Sequence, residues 1–290
     1  MRLRTLPLSL SGIILGSGIA FHHGYWNTPI FVLAMITTIL FQVLSNFAND
    51  LGDGIKGTDN AQRIGPSRAV QSGSISKKKM KIAVLIMSLL SLSSAAALIY
   101  LGTKNMPVNL VLTYVGLALA CVAAAITYTI GKIAYGYHGM GVLMVLIFFG
   151  GVSVLGVFSL FTKQFFWENI HLSIFAGLLS TAVLNLNNMR DYKNDAASGK
   201  KTLVVIMGPN MAKFYHLFLV FIGLLALIIF IEKLNEDVYY LSLLPGILLI
   251  LHLRKVMKIK FAKDFDPELK KVALSTFGIS LILFCLFIWY

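Results

Sequence analysis

The sequence predicts an all-α polytopic membrane protein, a bundle of nine transmembrane helices. Three observations carry that prediction. Mean hydropathy is +0.80. Hydrophobic residues make up 57% of the 290 positions against 13% charged, a composition that excludes an ordinary soluble domain. Nine apolar runs, each near the length that crosses a bilayer, follow one another with polar connections between them.

The first run, 5–23, follows Arg2 and Arg4 and has the outline of a secretory signal. Eight further runs and the lack of a persuasive cleavage site make it the first helix instead. The second, 28–50, closes on a polar cluster, and the third, 81–101, follows the basic stretch Lys77-Lys78-Lys79. The fourth, 107–129, leads through Tyr128 and Lys132 into a glycine-rich loop, Tyr135-Gly-Tyr-His-Gly139-Met-Gly141. The fifth, 140–161, is uniformly apolar, and the sixth, 169–188, closes on a second polar cluster. The last three are 212–232, 238–253 and 270–289. Gly and Pro inside these runs are tolerated by membrane helices.

Orientation follows from the 25 Lys and Arg. With a cytoplasmic N-terminus, only Lys104, Lys163 and Lys233 lie outside and 22 lie inside, the asymmetry expected of a plasma-membrane protein. Much of the net charge of +13 is this bias, together with attraction to anionic lipid. A nucleic-acid partner is excluded because no soluble domain carries the charge. Cys121 and Cys285 both sit in apolar runs and predict neither a disulfide nor a thiolate metal site.

The two polar clusters carry the chemistry. In Asn46-Phe-Ala-Asn49-Asp50-Leu-Gly-Asp53-Gly-Ile-Lys56-Gly-Thr-Asp59, the polar positions recur every three or four residues and so share one helix face. Gly52, Gly54 and Gly57 are expected to unwind the chain and return Asp59 to that face. In Asn187-Asn188-Met-Arg190-Asp191-Tyr-Lys-Asn-Asp195, the residues Asn187, Asp191 and Asp195 form one stripe. Repulsion within it calls for a counter-ion such as magnesium. The plainer alternatives are a capped polar helix end for the first cluster and neutralisation by Arg190 and Lys193 for the second.

Carboxylates at the edge of a hydrocarbon layer are costly, so two such clusters beside Arg63, Arg68, Lys132, Lys193, Lys200 and Lys201 suit a phosphorylated substrate held through metal. Both clusters contain Asn-x-x-x-Asp, at Asn49/Asp53 and Asn187/Asp191. This suggests a single domain over 1–290 with an internal four-helix repeat, about 1–135 and 136–260, plus a C-terminal helix. Such a repeat sets two metal sites facing each other across a central cavity. Tyr128 and Lys132, one turn apart, could contact phosphate oxygens, with interfacial anchoring as the alternative.

The combination of Asn49-x-x-x-Asp53 with Asp59, Tyr128-x-x-x-Lys132 and Asp191-x-x-x-Asp195 resembles the UbiA superfamily of intramembrane aromatic prenyltransferases. Further stretches are similar to its bacterial menaquinone branch, which prenylates 1,4-dihydroxy-2-naphthoate: Arg2-Leu-Arg-Thr-Leu-Pro7, Lys56-Gly-Thr-Asp59, Gly65-Pro-Ser-Arg68-Ala-Val-Gln71-Ser-Gly73, Asn188-Met-Arg190-Asp191, Asp266-Pro267 and Leu274-Ser-Thr276. The resemblance implies nine helices around a cavity open to the cytoplasm and sideways to lipid. It implies Mg2+ held by Asn49, Asp53, Asp59, Asp191 and Asp195 against a polyprenyl diphosphate. Asn46, Asn49, Lys56, Arg63, Arg68, Lys132, Asn187, Asn188 and Arg190 would bind that diphosphate, and Asp53, Asp191, Tyr128 and Lys132 would act in catalysis. The aromatic acid acceptor would form demethylmenaquinone. One departure stands out: where relatives commonly carry an acid after Gly-Leu-Gly, this chain reads Gly139-Met-Gly141-Val142.

Two other classes share some of these features. A transporter of an anionic metabolite would keep its polar groups near the bilayer midplane, whereas these lie at helix ends on one side. A CDP-alcohol phosphotransferase would carry Asp-Gly-x-x-Ala-Arg, of which only Asp53-Gly54 is present.

Overall fold

All nine apolar runs are helical in the computed structural model, which describes residues 5–60, 63–164 and 167–290, and among the described residues eight of these helices are long and apolar enough to cross a membrane, the first being shorter. Arg2 and Arg4, and with them the start of the Arg2-to-Pro7 stretch, lie outside the described residues. The helices are α1 (Leu6–His22), the shorter one, and the eight of spanning length, α2 (Thr28–Lys56), α3 (Lys77–Gly102), α4 (Val108–Thr127), α5 (Gly141–Thr162), α6 (Ile170–Ala197), α7 (Pro209–Leu234), α8 (Asp237–Lys258) and α9 (Ala262–Trp289).

Local chemistry sets several boundaries. Asn27 caps α2 by accepting a hydrogen bond from the Ile30 amide at 3.1 Å, with Pro29 beginning the first turn. Ser76 caps α3 in the same way through the Lys79 amide. The C-terminal end of α2 is set by Gly57, whose φ of +75° is a left-handed cap. This corrects one expectation, since Gly52 and Gly54 do not unwind the chain and α2 runs unbroken to Lys56. Gly52 serves close approach instead. A Cβ there would lie 2.3 Å from the Thr129 hydroxyl of the loop after α4.

Packing follows hydrophobic logic turned outward. Leu85, Leu89, Leu112, Phe221, Ile247 and Leu251 are all exposed and present an apolar surface suited to lipid. Inside, α1 and α6 are the most enclosed helices, α6 packed by α5, α7 and α9 and α1 by α2, α5 and α9. Leu15, Phe158, Phe175, Leu179, Leu186 and Leu227 are fully buried at this centre. By contrast α4 packs chiefly on α2 and α3, and its one buried residue, Tyr114, donates from its hydroxyl to the Gly156 carbonyl of α5 at 3.2 Å. The middle of α5, Leu146–Gly156, is π-helical, a rare geometry that recurs at functional sites.

Between α4 and α5 the bundle encloses a cavity of about 360 Å³. Its walls are apolar, with Leu98, Ile99, Leu117, Val157 and Leu160 among them.

Candidate active site

The cavity changes character along its length. At one end it is lined by Asn46, Asn49, Asp53, Arg68, Tyr128, Asn187 and Lys200, all from the side of the bundle where α2 and α6 end. Tyr135 stands beside Tyr128, with ring centroids 5.3 Å apart, and Phe41, Tyr114, Phe148 and Phe149 supply further aromatic lining.

Asp53 is almost fully buried, and burial of a carboxylate requires partners. Arg68 Nη1 lies 2.6 Å from Asp53 Oδ2, Lys200 Nζ lies 3.6 Å from the same oxygen, and the Tyr137 hydroxyl donates to Oδ1 at 2.8 Å. Arg68 Nη1 also reaches Asp59 Oδ2 at 2.7 Å and donates to the Asn49 carbonyl at 3.0 Å. Asp59 thus returns to the Asp53 face as expected, but a guanidinium holds it there. Burial disfavours charge on Arg68, yet Asp53 and Asp59 outweigh it and hold its pKa above the ordinary value. Lys200 behaves likewise: burial opposes its charge and Asp53, Tyr128 and Asp195 overcome it. Arg63 is pushed down, by burial first and then by neighbouring Arg68. Burial pushes the Tyr128 and Tyr137 phenols up, so both remain protonated donors at neutral pH.

The second cluster sits behind this rim. Arg190 grips Asp191 through Nε at 3.0 Å and Nη2 at 2.7 Å, takes Asn187 Oδ1 at 2.7 Å, and pairs with Asp266 at 2.6 Å. The neutralisation weighed as an alternative therefore occurs through Arg190, whereas Lys193 is exposed. Asp195 is buried, and its carbonyl accepts the Lys200 amide at 2.8 Å. Arg63 joins the two clusters, 3.0 Å from Asp59 and 3.9 Å from Asp191, and Asn194 donates to the Thr58 carbonyl at 2.7 Å. One continuous network takes the place of two separate facing sites. Asn188 is buried in α6 away from the cavity lining, and Lys56 is exposed with its ammonium 4.0 Å from the Tyr137 ring.

Lys132, predicted to act both in catalysis and in diphosphate binding, is likewise not brought into the cavity lining. Helix α4 ends at Thr127, and the chain turns through Gly131 at φ +96°, leaving Lys132 exposed outside the cavity lining. Lys200 occupies the position expected of it. Sequence reasoning counted Lys200 only as part of the basic face. Tyr137 was legible only as a member of the glycine-rich loop, and Asp50 turned out structural, accepting the Ala69 and Val70 amides.

Asp53, Asp59, Asp191 and Asp266 pair with Arg63, Arg68, Arg190 and Lys200, and Asp195 is buried beside them, so the network is near charge balance with no surplus of positive charge. A diphosphate entering here requires extra positive charge. The donors Asn49, Asp53, Asp59, Asp191 and Asp195 are all oxygens, which fits a hard divalent cation that fills its shell with phosphate oxygens and water. Among the described residues no group of three or more His, Cys, Asp or Glu is already assembled as a cage.

A model of the UbiA prenyltransferase family matches residues 7–266. The chain is 42% identical over 235 residues to the 1,4-dihydroxy-2-naphthoate octaprenyltransferase of Haemophilus influenzae, covering 79% of this chain and 74% of the relative. It is 39% identical over 271 residues to the Escherichia coli K12 protein of the same name, covering 92% and 85%. Among solved structures, the apo UbiA homolog of Aeropyrum pernix K1 superposes with a TM-score of 0.70 at 15% identity, covering 98% of this chain and 96% of that one, a likeness of fold.

Proposed function

Because this chain belongs to the UbiA prenyltransferase family, we propose that it transfers a polyprenyl group from polyprenyl diphosphate to 1,4-dihydroxy-2-naphthoate, releasing diphosphate and CO2. The observation that carries the reading is one cavity with an Asp/Arg/Lys network at one end and apolar, aromatic walls beyond. That gradient matches an amphiphile with a diphosphate head and a hydrocarbon tail.

Arg68, Lys200 and, through the network, Arg63 and Arg190 hold the diphosphate head by charge and hydrogen bonds. Asn49, Asp53, Asp59, Asp191 and Asp195 would hold a divalent ion, magnesium on this reading, and when bound it would supply positive charge against the leaving diphosphate. Tyr128 donates from its phenol toward the same oxygens. The apolar walls exclude water from the allylic cation, and the faces of Phe148, Phe149 and Tyr135 attract it. Diphosphate departs with the electron pair of the broken C–O bond, the acceptor ring carbon that bears the carboxylate then attacks the cation to form the C–C bond, and the electron pair of the C–COO− bond returns to the ring as CO2 leaves. With the N-terminus cytoplasmic, acceptor and metal ion reach the site from the cytoplasm while the tail stays in the bilayer.

The test is purified protein assayed with one labelled polyprenyl diphosphate against dihydroxynaphthoate, 4-hydroxybenzoate and no acceptor. Prenylation of dihydroxynaphthoate at least tenfold faster than of the benzoate is the expected result. The opposite preference assigns a different acceptor within the family.

A further inference from the structure

Three asparagines line the cavity, and they differ in how they are engaged. Asn187 gives its carbonyl oxygen to Arg190 at 2.7 Å, and Asn49 Oδ1 accepts weakly from Thr129 at 3.4 Å. Asn46 is 7% exposed and its amide nitrogen is buried with no hydrogen-bond partner. Burying an amide N–H without a partner costs free energy, and native structures leave few such groups without a reason.

Depth along α2 says what could satisfy it. Asn46 lies seven residues before Asp53, about 10 Å farther into the bundle at the helical rise of about 1.5 Å per residue. It therefore stands one step below the charged network, where the diphosphate ends and the reacting carbon begins. Its neighbours are neutral. One turn deeper, Gln42 is held against α1, donating from Nε2 to Thr5 Oγ1 at 2.9 Å and accepting from Ser9 Oγ at 2.5 Å. Leu8, Ile13 and Phe41 line the same cavity. A hydrocarbon tail has nothing to offer an amide, and the diphosphate has the guanidiniums above. The remaining reactant, a hydroxylated aromatic ring, must sit beside the first carbon of the prenyl group and carries a hydroxyl oxygen.

We infer that Asn46 is an acceptor-specificity residue, its side-chain amide donating a hydrogen bond to a ring hydroxyl of the aromatic acceptor, in place of the diphosphate contact expected from sequence. The inference rests on the proposed reaction. A site built to bond a substrate hydroxyl discriminates strongly against analogues that lack it.

The test compares wild type, Asn46→Leu and Asn46→Ser with 1,4-dihydroxy-2-naphthoate and its two monohydroxy analogues, 1-hydroxy- and 4-hydroxy-2-naphthoate, at saturating polyprenyl diphosphate. In wild type, kcat/KM should fall about tenfold or more for the analogue lacking the bonded hydroxyl. Asn46→Leu should lose that discrimination while the KM for polyprenyl diphosphate stays within about twofold, and Asn46→Ser, which keeps a donor, should recover part of it. Because Leu removes a buried unpaired group, the Asn46→Leu protein should melt at the same temperature as wild type or higher. A rise in the KM for polyprenyl diphosphate with unchanged acceptor preference returns Asn46 to the diphosphate and overturns the inference. Discrimination identical in all three proteins overturns it too and leaves Asn46 to bound water. A wild type that prenylates no naphthoate overturns the functional reading and this inference with it.

Discussion

Nη1 of Arg68 lies 2.6 Å from Oδ2 of Asp53, with both side chains buried at the cavity end. The same nitrogen also reaches Asp59, so one guanidinium compensates two carboxylates from positions six residues apart. Removing one member of a buried pair strands the other charge, at about 3–5 kcal/mol. Arg68→Gln should therefore lower stability by about that amount and abolish transfer. Added magnesium should recover more melting temperature in Arg68→Gln than in wild type, because the freed carboxylates gain as cation ligands. Equal magnesium responses in a thermal-shift series would argue against Asp53 and Asp59 as metal donors.

The exchange of Lys132 for Lys200 separates two lysines that sequence reasoning weighed differently. Lys200 Nζ is buried 3.6 Å from Asp53, while Lys132 is exposed. Lys200→Met should cost about two orders of magnitude in kcat, as lost electrostatic stabilisation does. Lys132→Met and Lys78→Met should change kcat less than about threefold. Comparable losses at Lys132 and Lys200 would restore the tyrosine–lysine pair as the working unit.

Lys200 also sets an expectation for pH. Its pKa in the folded protein is raised above the ordinary 10.5 by Asp53, Tyr128 and Asp195 acting against burial. A raised lysine contributes stability that is fully present below the unfolded-state pKa and is lost as pH rises through the folded-state pKa. The melting temperature should show no loss from Lys200 between pH 7 and 10, as ordinary lysine titration starts near about 10.4. Its contribution should fall only above that range. In Lys200→Met this alkaline loss should shrink, which a melting series from pH 8 to 11 would reveal.

The spans were legible because membrane helices satisfy their own backbone and need only an apolar run, so the periodic sequence signal and the structure coincide. The acid clusters were legible for a related reason: Asp53 and Asp191 near hydrocarbon demand a purpose. Partners from distant loops were not. Nothing local to Lys200 or Tyr137 says that each will meet Asp53, a contact that spans 84 residues for Tyr137 and depends on where the loops after α4 and α6 settle. The failure at Lys132 has the same origin, since a four-residue spacing implies one face only while the helix lasts, and Gly131 ends that geometry. The glycines of the first cluster misled in the opposite direction. Gly52 looked like a breaker and instead admits Thr129 against an unbroken helix.

Metal dependence follows from the near charge balance of the network. Transfer should vanish in EDTA and return with magnesium, and Asp53→Asn and Asp191→Asn should each lower kcat by about two orders of magnitude. Both variants should raise the magnesium concentration needed for half-maximal rate, because each removes an oxygen donor of full charge. Full activity in metal-free buffer would sink the proposal.

Sidedness joins topology to chemistry. On the proposed orientation, which rests on the 22-to-3 division of Lys and Arg, the connections after α2, α4, α6 and α8 would face the cytoplasm, and the network of Asp53, Asp191 and Lys200 lies at those helix ends. On that proposal the aromatic acid and the divalent ion would reach the site from there, while the isoprenoid tail would remain in lipid. With Cys121 and Cys285 replaced by Ser, single cysteines at Ser74 and Ser198 should react with a membrane-impermeant thiol reagent only after cells are opened. One at Asn27, between α1 and α2, should label in intact spheroplasts. Ser74 is exposed and Ser198 half-buried, so the protein itself leaves both within reach of the reagent. Labelling of either from outside would invert the bundle and move the acidic network to the side of the membrane where neither co-substrate is held.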